Sequence, residues 1–436
     1  MKNTIIRIVS LILSAIFVMG FLPSCKKEET HQSTDTLTTA PGTTAIVTDA
    51  PSDKPSPEEI AAKLENNEYA QAGLELVKNV LIKKYYNKTR TNVAGDYGGT
   101  GNAFVWGYTA FVEALADCVA LFPEEDSVRD VYEKVLTTGY DKYRVKGQLK
   151  TPSGTYKDIV YYNAGAGGKG DYYYDDNAWV CYQYLNAYNL LHEEEYLKRA
   201  EELLEFFWTG WDDVLGGGIY WDKSFGGKNT CANGPIAVCY LWAYQMTENE
   251  DYFDKGKMIY DWMTKVGLRA SDGLYSDSVN KNKQFNNWKA DYNQGTPLYA
   301  ACLLYEITGE QKYLNNANQT AKAALSLAFS NKGTRTKPNV SMNGNPIYKS
   351  WCVGWLMRGF REYVRITGKA GSYFEYMELV LDKELGTKDA KGMYDPYFLT
   401  KDWGGESKTD VLQPSGVSCV FLICAYYDIF TAPYLE

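Results

Sequence analysis

Two aspartates occupy consecutive positions in the segment DYYYDDNAWV, at Asp175 and Asp176. Adjacent like charges repel, and most of the residues beside them are aromatic. Aspartate is a favoured helix N-cap, and acidic residues in the first turn suit the helix dipole, so capping alone can explain one of the two. A cap needs a single carboxylate, and the second acid therefore requires a further explanation.

Most enzymes that cleave a glycosidic bond use a pair of carboxylic acids as their catalytic groups. Retaining glycosidases need two carboxyl groups roughly 5–5.5 Å apart, one as nucleophile and one as acid/base. Consecutive side chains on a helix diverge by roughly 100°, which allows such a separation. Mutual repulsion should raise the pKa of one acid, which then holds a proton for the leaving oxygen. The pair therefore predicts a two-step displacement at a sugar carbon.

Aromatic, amide and lysine side chains recur at other helix starts and in the loops before them. Aromatic rings with a polar edge suit wet binding surfaces, and amides can hydrogen-bond sugar hydroxyls. Packing or capping explains each of these residues equally well when it is taken singly. The candidates for substrate binding are Trp106, Tyr174, Trp221, Lys228, Asn229, Asn233, Tyr292, Asn293, Gln294, Lys349 and Trp403.

The composition excludes several other kinds of chemistry. Only two histidines occur in the 436 residues, which argues against a histidine-based catalytic triad and against a zinc site with histidine ligands. We expect neither a metal nor another cofactor. The net charge is −9 and no run of five basic residues occurs, which argues against nucleic-acid binding. The eight cysteines after Cys25 lie mostly in apolar runs and are expected to be small buried residues.

The N-terminal segment predicts export from a bacterial cell. Residues 1–24 carry Lys2 and Arg7 before an apolar run, which is typical of a signal peptide. Cys25 follows small residues at the expected cleavage site and is the predicted lipidation site; ordinary cleavage to a soluble secreted protein is the alternative. Residues 25–57 are rich in Thr, Ser and Pro and predict a disordered tether. We therefore expect a monomer anchored to the membrane by lipid, in the cell envelope and facing outward.

Residues 58–436 predict one all-α domain. Apolar residues recur at helical spacing, and similar segments begin at Asn177, Asn233 and Asn293, which are 56 and 60 residues apart. We predict six antiparallel helical hairpins that close into an (α/α)6 barrel, with the asparagine-led helices inside and their N-termini at one mouth; an open α-solenoid is the alternative. The predicted helix starts lie near residues 58, 103, 126, 176, 194, 232, 250, 293, 311, 349, 372 and 414.

Several motifs together resemble glycoside hydrolase family 76, the endo-α-1,6-mannanases. The similar pieces are YYYDDNAWV, GGGIYW at 216–221, KNTCANGP at 228–235, DYNQG at 291–295, YKSWCVGWLMR at 348–358 and DW at 402–403. The resemblance covers most of residues 95–430 and implies an (α/α)6 barrel that hydrolyses α-1,6-mannan with retention, without a metal.

The same resemblance assigns individual roles. It implies that Asp175 is the nucleophile, that Asp176 is the acid/base, and that Tyr220 lies near the substrate cleft. Family members often have Trp at the position of Tyr220 and Thr at the position of Asp291. These two departures leave the subsite preference open.

The leading hypothesis is therefore a lipid-anchored endo-α-1,6-mannanase whose partner is α-mannan. The alternatives are a cell-surface glycan-binding lipoprotein without catalysis, and another (α/α)6 glycosidase or transglycosidase. A lyase acting on uronic acids is a further option, and it should carry a charge-neutralising cluster of basic residues. The near-absence of histidine argues against a lyase, although Lys228, Lys349 and tyrosines could serve.

Overall fold

A computed structural model describes residues 56–329, 350–369, 371–398 and 407–431. The chain divides into two units, residues 1–63 and 64–436, and the architecture below concerns the second. The predicted signal peptide, the lipidation site Cys25 and nearly all of the predicted tether lie outside the described residues. The same holds for two predicted substrate-binding residues, Lys349 and Trp403.

Thirteen α-helices account for most of the described residues. No helix in these ranges is long and apolar enough to cross a bilayer. In chain order the helices are α1 (Pro57–Asn66), α2 (Glu68–Glu75), α3 (Val105–Leu121), α4 (Asp126–Lys134), α5 (Tyr174–Leu191), α6 (Glu194–Trp208), α7 (Thr230–Thr247), α8 (Glu250–Val266), α9 (Tyr292–Thr308), α10 (Gln311–Ala328), α11 (Ser350–Thr367), α12 (Gly371–Glu384) and α13 (Leu412–Phe430). A π-helical segment, Leu76–Tyr85, continues α2.

Six of these helices form a closed inner ring. Helices α3, α5, α7, α9, α11 and α13 each contact the next one, and α13 contacts α3. The even-numbered helices lie outside the ring, and the segment formed by α2 and Leu76–Tyr85 packs on α13. The predicted (α/α)6 barrel is confirmed, and the sixth hairpin joins the two ends of the domain instead of being continuous in sequence.

The burial of side chains follows this arrangement. The inner helix α13 buries nearly every residue from Leu412 to Tyr427, because neighbouring helices cover it on all sides. The outer helix α6 buries one stripe that includes Leu203 and Phe207 and leaves its acidic face in water. All eight cysteines after Cys25 are buried, as the sequence predicts, and none of them forms a disulfide.

Glycines allow the inner helices to approach one another closely. A Cβ atom on Gly359 of α11 would overlap the carbonyl oxygen of Gly295 in α9. A Cβ atom on Gly416 of α13 would overlap the main chain at Trp351 in α11. These contacts fix the spacing of three consecutive inner helices and hence of their N-terminal residues.

In the part of the chain that the structure describes, three small sheets lie in the loops between hairpins. No strand is predicted at these positions from the sequence. Their strands are β1 (Tyr86–Asn87), β2 (Asn92–Val93), β3 (Arg144–Lys150), β4 (Tyr156–Tyr162), β5 (Gly227–Asn229), β6 (Ser278–Asn280) and β7 (Phe285–Asn286), all paired antiparallel. The longest strands, β3 and β4, are exposed or half-buried at all but one position each, so no buried face imposes an alternating pattern on their sequence. These sheets shape the loops that lead into the inner helices.

We predict that Gly359→Ala lowers the free energy of unfolding by about 1–3 kcal/mol, because the added methyl group overpacks the contact with α9. Chemical denaturation followed by circular dichroism measures the change. The matched control is Gly101→Ala, where a Cβ atom would meet open space, and it should change stability by less than about 0.5 kcal/mol. Equal midpoints for the two variants would contradict the proposed close packing.

Candidate active site

The two consecutive aspartates lie in the first turn of the inner helix α5. Two contacts attach this turn to the loop that precedes α7: the Tyr174 N–H donates to the Trp221 carbonyl at 2.8 Å, and Tyr173 forms a β-bridge with Asp222. Both carboxylates are partly exposed. The turn is therefore open to solvent on one side and held by backbone pairing on the other.

The carboxylate of Asp175 accepts several hydrogen bonds. The indole Nε1 of Trp221 donates to Oδ2 at 2.9 Å, and the main-chain N–H of Asp176 donates to Oδ1 at 3.0 Å. The thiol of Cys231, in the first turn of α7, lies beside the same carboxylate and favours its charged form. Burial raises the pKa of Asp175, and these donors oppose that rise because they stabilise the charged form.

Asp176 has a different electrostatic environment. Burial raises its pKa well above the ordinary value, and the neighbouring charge of Asp175 raises it further. Among the described residues, no hydrogen-bond donor lowers the pKa of Asp176. The geometry therefore favours an ionised Asp175 beside a protonated Asp176.

A third carboxylate, Asp277, lies near Cys231 and Tyr292 and escaped the sequence prediction. It sits just before β6, and it accepts hydrogen bonds from Asn286 at 2.9 Å and from Asn293 at 3.4 Å. Burial raises its pKa, and its charge acts on both Cys231 and Tyr292. Its place in a loop that leads into an inner helix is the signal that could have revealed it.

First-turn residues of all the inner helices meet at this end of the barrel. Trp106 of α3 and Tyr292 of α9 both contact Trp351 of α11, with ring centroids 5.3 and 6.1 Å apart. Ser350 donates to the main-chain carbonyl of Gln413 at the start of α13, at 2.8 Å. The predicted common mouth is therefore present, and its centre is aromatic.

Four of the predicted substrate-binding residues are partly exposed at this mouth. Trp221 is 37% exposed, and its ring lies 5.1 Å from that of Tyr173. The others are Trp106, Asn229 and Tyr292. Phe104, which the sequence did not single out, is 75% exposed directly before α3. These side chains can offer ring faces and amide groups to a bound sugar.

Two predicted substrate-binding amides, Asn233 and Gln294, instead hold the backbone. Asn233 bonds both the N–H and the carbonyl of Ile219 at 2.8 Å, and Gln294 does the same with Tyr275 at 2.7 and 3.0 Å. Asn177 repeats the pattern with Tyr162. We call Asn177, Asn233 and Gln294 the amide clamps. All three are fully buried, so they fix the loops on the inner helices and cannot reach a sugar.

Lys228 and Tyr220 are also occupied within the protein. The Lys228 ammonium is fully buried and donates to the Asp212 carboxylate at 2.5 Å and to the carbonyls of Val214 and Gly217 at 2.8 and 2.6 Å. Tyr220 donates to the same carboxylate at 3.0 Å. Burial lowers the pKa of Lys228, although Asp212 raises it. The cluster organises the loop that carries Trp221.

The remaining predicted residues, Tyr174 and Asn293, are buried as well. The Tyr174 ring stacks on Phe206 with centroids 4.7 Å apart, and its hydroxyl bonds Thr209 at 3.0 Å. Asn293 supports Asp277 through the 3.4 Å bond described above. Both residues therefore act on the site from behind its surface.

One trio in the described residues has metal-ligating side chains within mutual reach. Glu378, Cys424 and Asp428 lie on α12 and α13. The two acids hydrogen-bond each other, and burial raises the pKa of Glu378 to about 7. The acids thus reduce their repulsion by sharing a proton, which is a sufficient structural role.

Comparisons with known proteins agree on one family. The model of glycosyl hydrolase family 76 matches residues 69–376. A family 76 glycoside hydrolase from a bovine Bacteroides thetaiotaomicron strain superposes with a TM-score of 0.68 at 22% identity, covering 84% of this chain and 79% of that one. A family 76 mannosidase from B. thetaiotaomicron VPI-5482 gives a TM-score of 0.67 at 24% identity, covering 85% and 98%. The fold is shared with both.

Two further similar proteins are an α-1,6-mannanase and a mannan endo-1,6-alpha-mannosidase. An inactive variant of an α-1,6-mannanase from Salegentibacter, in complex with α-1,6-mannotriose, has a TM-score of 0.61 at 23% identity over 83% of this chain and 99% of that one. A mannan endo-1,6-alpha-mannosidase of Candida albicans is 27% identical over 136 residues, 28% of this chain. That match spans 30% of the fungal protein.

We predict that Lys228→Met lowers the free energy of unfolding by about 3 kcal/mol, because it leaves the partly buried Asp212 carboxylate without its positive partner and three main-chain carbonyls without this donor. Thermal and chemical denaturation measure the loss. Lys223→Met is the matched control, since Lys223 forms an exposed ion pair with Asp171 on the same loop and should leave stability unchanged. An unchanged Lys228→Met protein would contradict the structural role.

Proposed function

Because the chain belongs to glycoside hydrolase family 76, we propose that it cleaves α-1,6-mannan backbones internally and with retention of anomeric configuration. The observation that carries the proposal is the unequal environment of two adjacent carboxyl groups. Asp175 accepts hydrogen bonds from the Trp221 indole and the Asp176 N–H, whereas Asp176 lies beside that charge and has no hydrogen-bond donor among the described residues.

The first half of the reaction uses the two acids in opposite protonation states. The Asp175 carboxylate attacks the anomeric carbon as the bond from that carbon to the glycosidic oxygen breaks. Asp176 transfers its proton to the departing oxygen, which leaves as a hydroxyl group of the released chain. The product is a mannosyl ester of Asp175 and an ionised Asp176.

The second half reverses these roles. Esterification removes the charge of Asp175, so the pKa of Asp176 falls at the point where a carboxylate is needed. Asp176 takes a proton from water while the oxygen of that water attacks the anomeric carbon, and the Asp175 carboxylate departs. Two inversions at one carbon give net retention, and both acids return to their initial states.

The substrate assignment is supported by the relatives and by the mouth of the barrel. The Salegentibacter protein binds α-1,6-mannotriose and the Candida protein carries the name of an endo-1,6-alpha-mannosidase. Here Trp106, Trp221 and Tyr292 provide partly exposed ring edges and faces around the acids. Such aromatic surfaces favour the apolar faces of pyranose rings, while the carboxylates and Asn229 suit the hydroxyl groups.

We further propose that the enzyme works outside the cytoplasm as a lipid-anchored protein of the cell envelope. The proposal rests on the apolar leader in residues 1–24, on Cys25 and on the Thr-rich segment after it. Metabolic labelling with a palmitate analogue tests it, since wild-type protein should carry the label and Cys25→Ala should not. Equal labelling of both would refute the anchor site.

The activity is tested with debranched α-1,6-mannan. Wild-type protein should release oligosaccharides of several lengths, and NMR of the earliest products should show the α-anomer before mutarotation. The α-anomer identifies retention, whereas initial β-anomer would identify inversion and refute the mechanism. Binding of mannan without any product over long incubation would favour a glycan-binding protein.

We predict that Asp176→Asn lowers kcat by about 10²–10⁴-fold, because the leaving oxygen loses its proton donor. Asp175→Asn should remove turnover altogether, while calorimetry should still detect oligosaccharide binding in both variants. Asp171→Asn is the matched control, because Asp171 is exposed in the same loop and pairs with Lys223. Full activity in either site variant would remove that residue from the mechanism.

We also predict that Trp221→Phe moves the acidic limb of the pH profile of kcat/KM to higher pH. The indole N–H stabilises the charged form of Asp175, so its loss raises the pKa of that acid and more alkaline conditions are needed to ionise it. Trp242→Phe, at the opposite end of α7, should leave the limb in place. An unshifted limb in Trp221→Phe would show that this hydrogen bond does not tune the nucleophile.

A further inference from the structure

Glu113 is a carboxylic acid buried inside the ring of inner helices, and the proposed reaction does not use it. It lies on α3 and is only 1% exposed. The indole Nε1 of Trp351 donates to its Oε2 at 2.8 Å, and the Nε2 of Gln183 lies 3.3 Å from its Oε1. Three inner helices, α3, α5 and α11, therefore meet through this one side chain.

The charges around Glu113 show that it is not simply half of an ion pair. Arg358 forms a two-pronged hydrogen-bonded pair with Asp117, at 2.9 and 2.6 Å. Burial raises the pKa of Glu113 to about 8, Arg358 opposes the rise and Asp117 adds to it. Two acids thus lie beside one guanidinium group, whose direct contacts go to Asp117. Glu113 instead faces the side chains of Trp351, Gln183 and Trp355.

Trp351 connects this buried acid to the mouth. Its ring lies edge-on to Trp179 and Trp106, with centroids 4.9 and 5.3 Å away, and 6.1 Å from the ring of Tyr292. Trp106 and Tyr292 are partly exposed at the mouth, whereas Trp351 is buried. The orientation of the Trp351 indole therefore determines where the two exposed rings can lie.

An indole ring has one hydrogen-bond donor, so one acceptor can select its orientation. A buried N–H without a partner is unfavourable, and Glu113 supplies the acceptor for the observed rotamer. If the acceptor is removed, the rotamers of Trp351 become closer in free energy and the packing of Trp106 and Tyr292 loosens. The effect should reach substrate binding before it reaches the bond-breaking step, because neither Asp175 nor Asp176 touches Glu113.

We propose that Glu113 is a positioning residue that acts through its hydrogen bond to Trp351. It thereby sets the positions of Trp106 and Tyr292, which together with Trp351 form the aromatic floor of the sugar-binding mouth. This inference rests on the proposed function, since it assigns the floor to a mannan chain. Simple core packing is the competing explanation, and it predicts that only stability depends on Glu113.

Four variants separate the two explanations. Glu113→Gln keeps an oxygen acceptor, Glu113→Met keeps the length of the side chain without one, Trp351→Phe removes the donor, and a double variant combines the last two. We expect Glu113→Gln to stay within about threefold of wild type, and Glu113→Met and Trp351→Phe each to raise KM for α-1,6-mannotetraose about tenfold with little change in kcat. The double variant should match either single variant, because both remove the same hydrogen bond.

Near-ultraviolet circular dichroism gives a second readout that needs no substrate. Glu113→Met should change the tryptophan bands while the far-ultraviolet spectrum stays the same, and Glu113→Gln should change neither. Failure of wild type to cleave mannan, with the expected tryptophan bands, would refute the proposed function and leave the coupling of Glu113 to Trp351 intact.

An unchanged KM in Glu113→Met, or multiplicative effects in the double variant, would overturn the inference. If Glu113→Met does not fold, Trp351→Phe decides the question. A roughly tenfold rise in its KM supports the positioning role, and an unchanged KM overturns it.

Discussion

Ionising both of two carboxyl groups on consecutive residues is unfavourable in a site surrounded by aromatic rings, because the two negative charges repel and are poorly solvated. The rest of the site depends on which of the two groups keeps its proton. Asp175 accepts hydrogen bonds from Trp221 and from the Asp176 N–H and has the Cys231 thiol beside it, so it can hold the negative charge. Asp176 has the charge of its neighbour instead, so it keeps the proton. The asymmetry comes from the donors around the pair, because the two residues are chemically identical.

The barrel supplies those donors by fixing loops to helix starts. Trp221 and Cys231 lie on different elements, and each must stay close to the same carboxylate. The amide clamps hold the loop backbone at Tyr162, Ile219 and Tyr275 against α5, α7 and α9. The Lys228–Asp212 pair holds the turn before Trp221 in place. Close helix contacts at glycines then keep the inner helices at constant spacing, so small side chains far from the acids still influence their geometry.

The sequence predicted the elements well, because a repeat of nearly constant length carries helical periodicity and turn positions together. Every predicted helix start lies within two residues of the observed one, and the acid pair stands at an inner-helix start as expected. The sequence could not assign the amides: Asn233 and Gln294 stand at the mouth, but whether an amide faces a cleft or a loop depends on the path of a segment about 14 to 19 residues away in the chain. Asp277 was missed for the same reason, since only folding brings its loop beside α5 and α7.

The most direct measurement of the central claim is a pH titration of the two carboxyl carbons by NMR, with ¹³C-labelled aspartate in wild type and in the Asp175→Asn and Asp176→Asn variants used for assignment. We predict that Asp176 titrates well above the ordinary pKa of an aspartate and that this pKa falls when Asp175 becomes asparagine, since a neighbouring negative charge has been removed. Independent titration of both groups near the ordinary value, or a pKa of Asp176 that is unchanged in Asp175→Asn, would contradict the account.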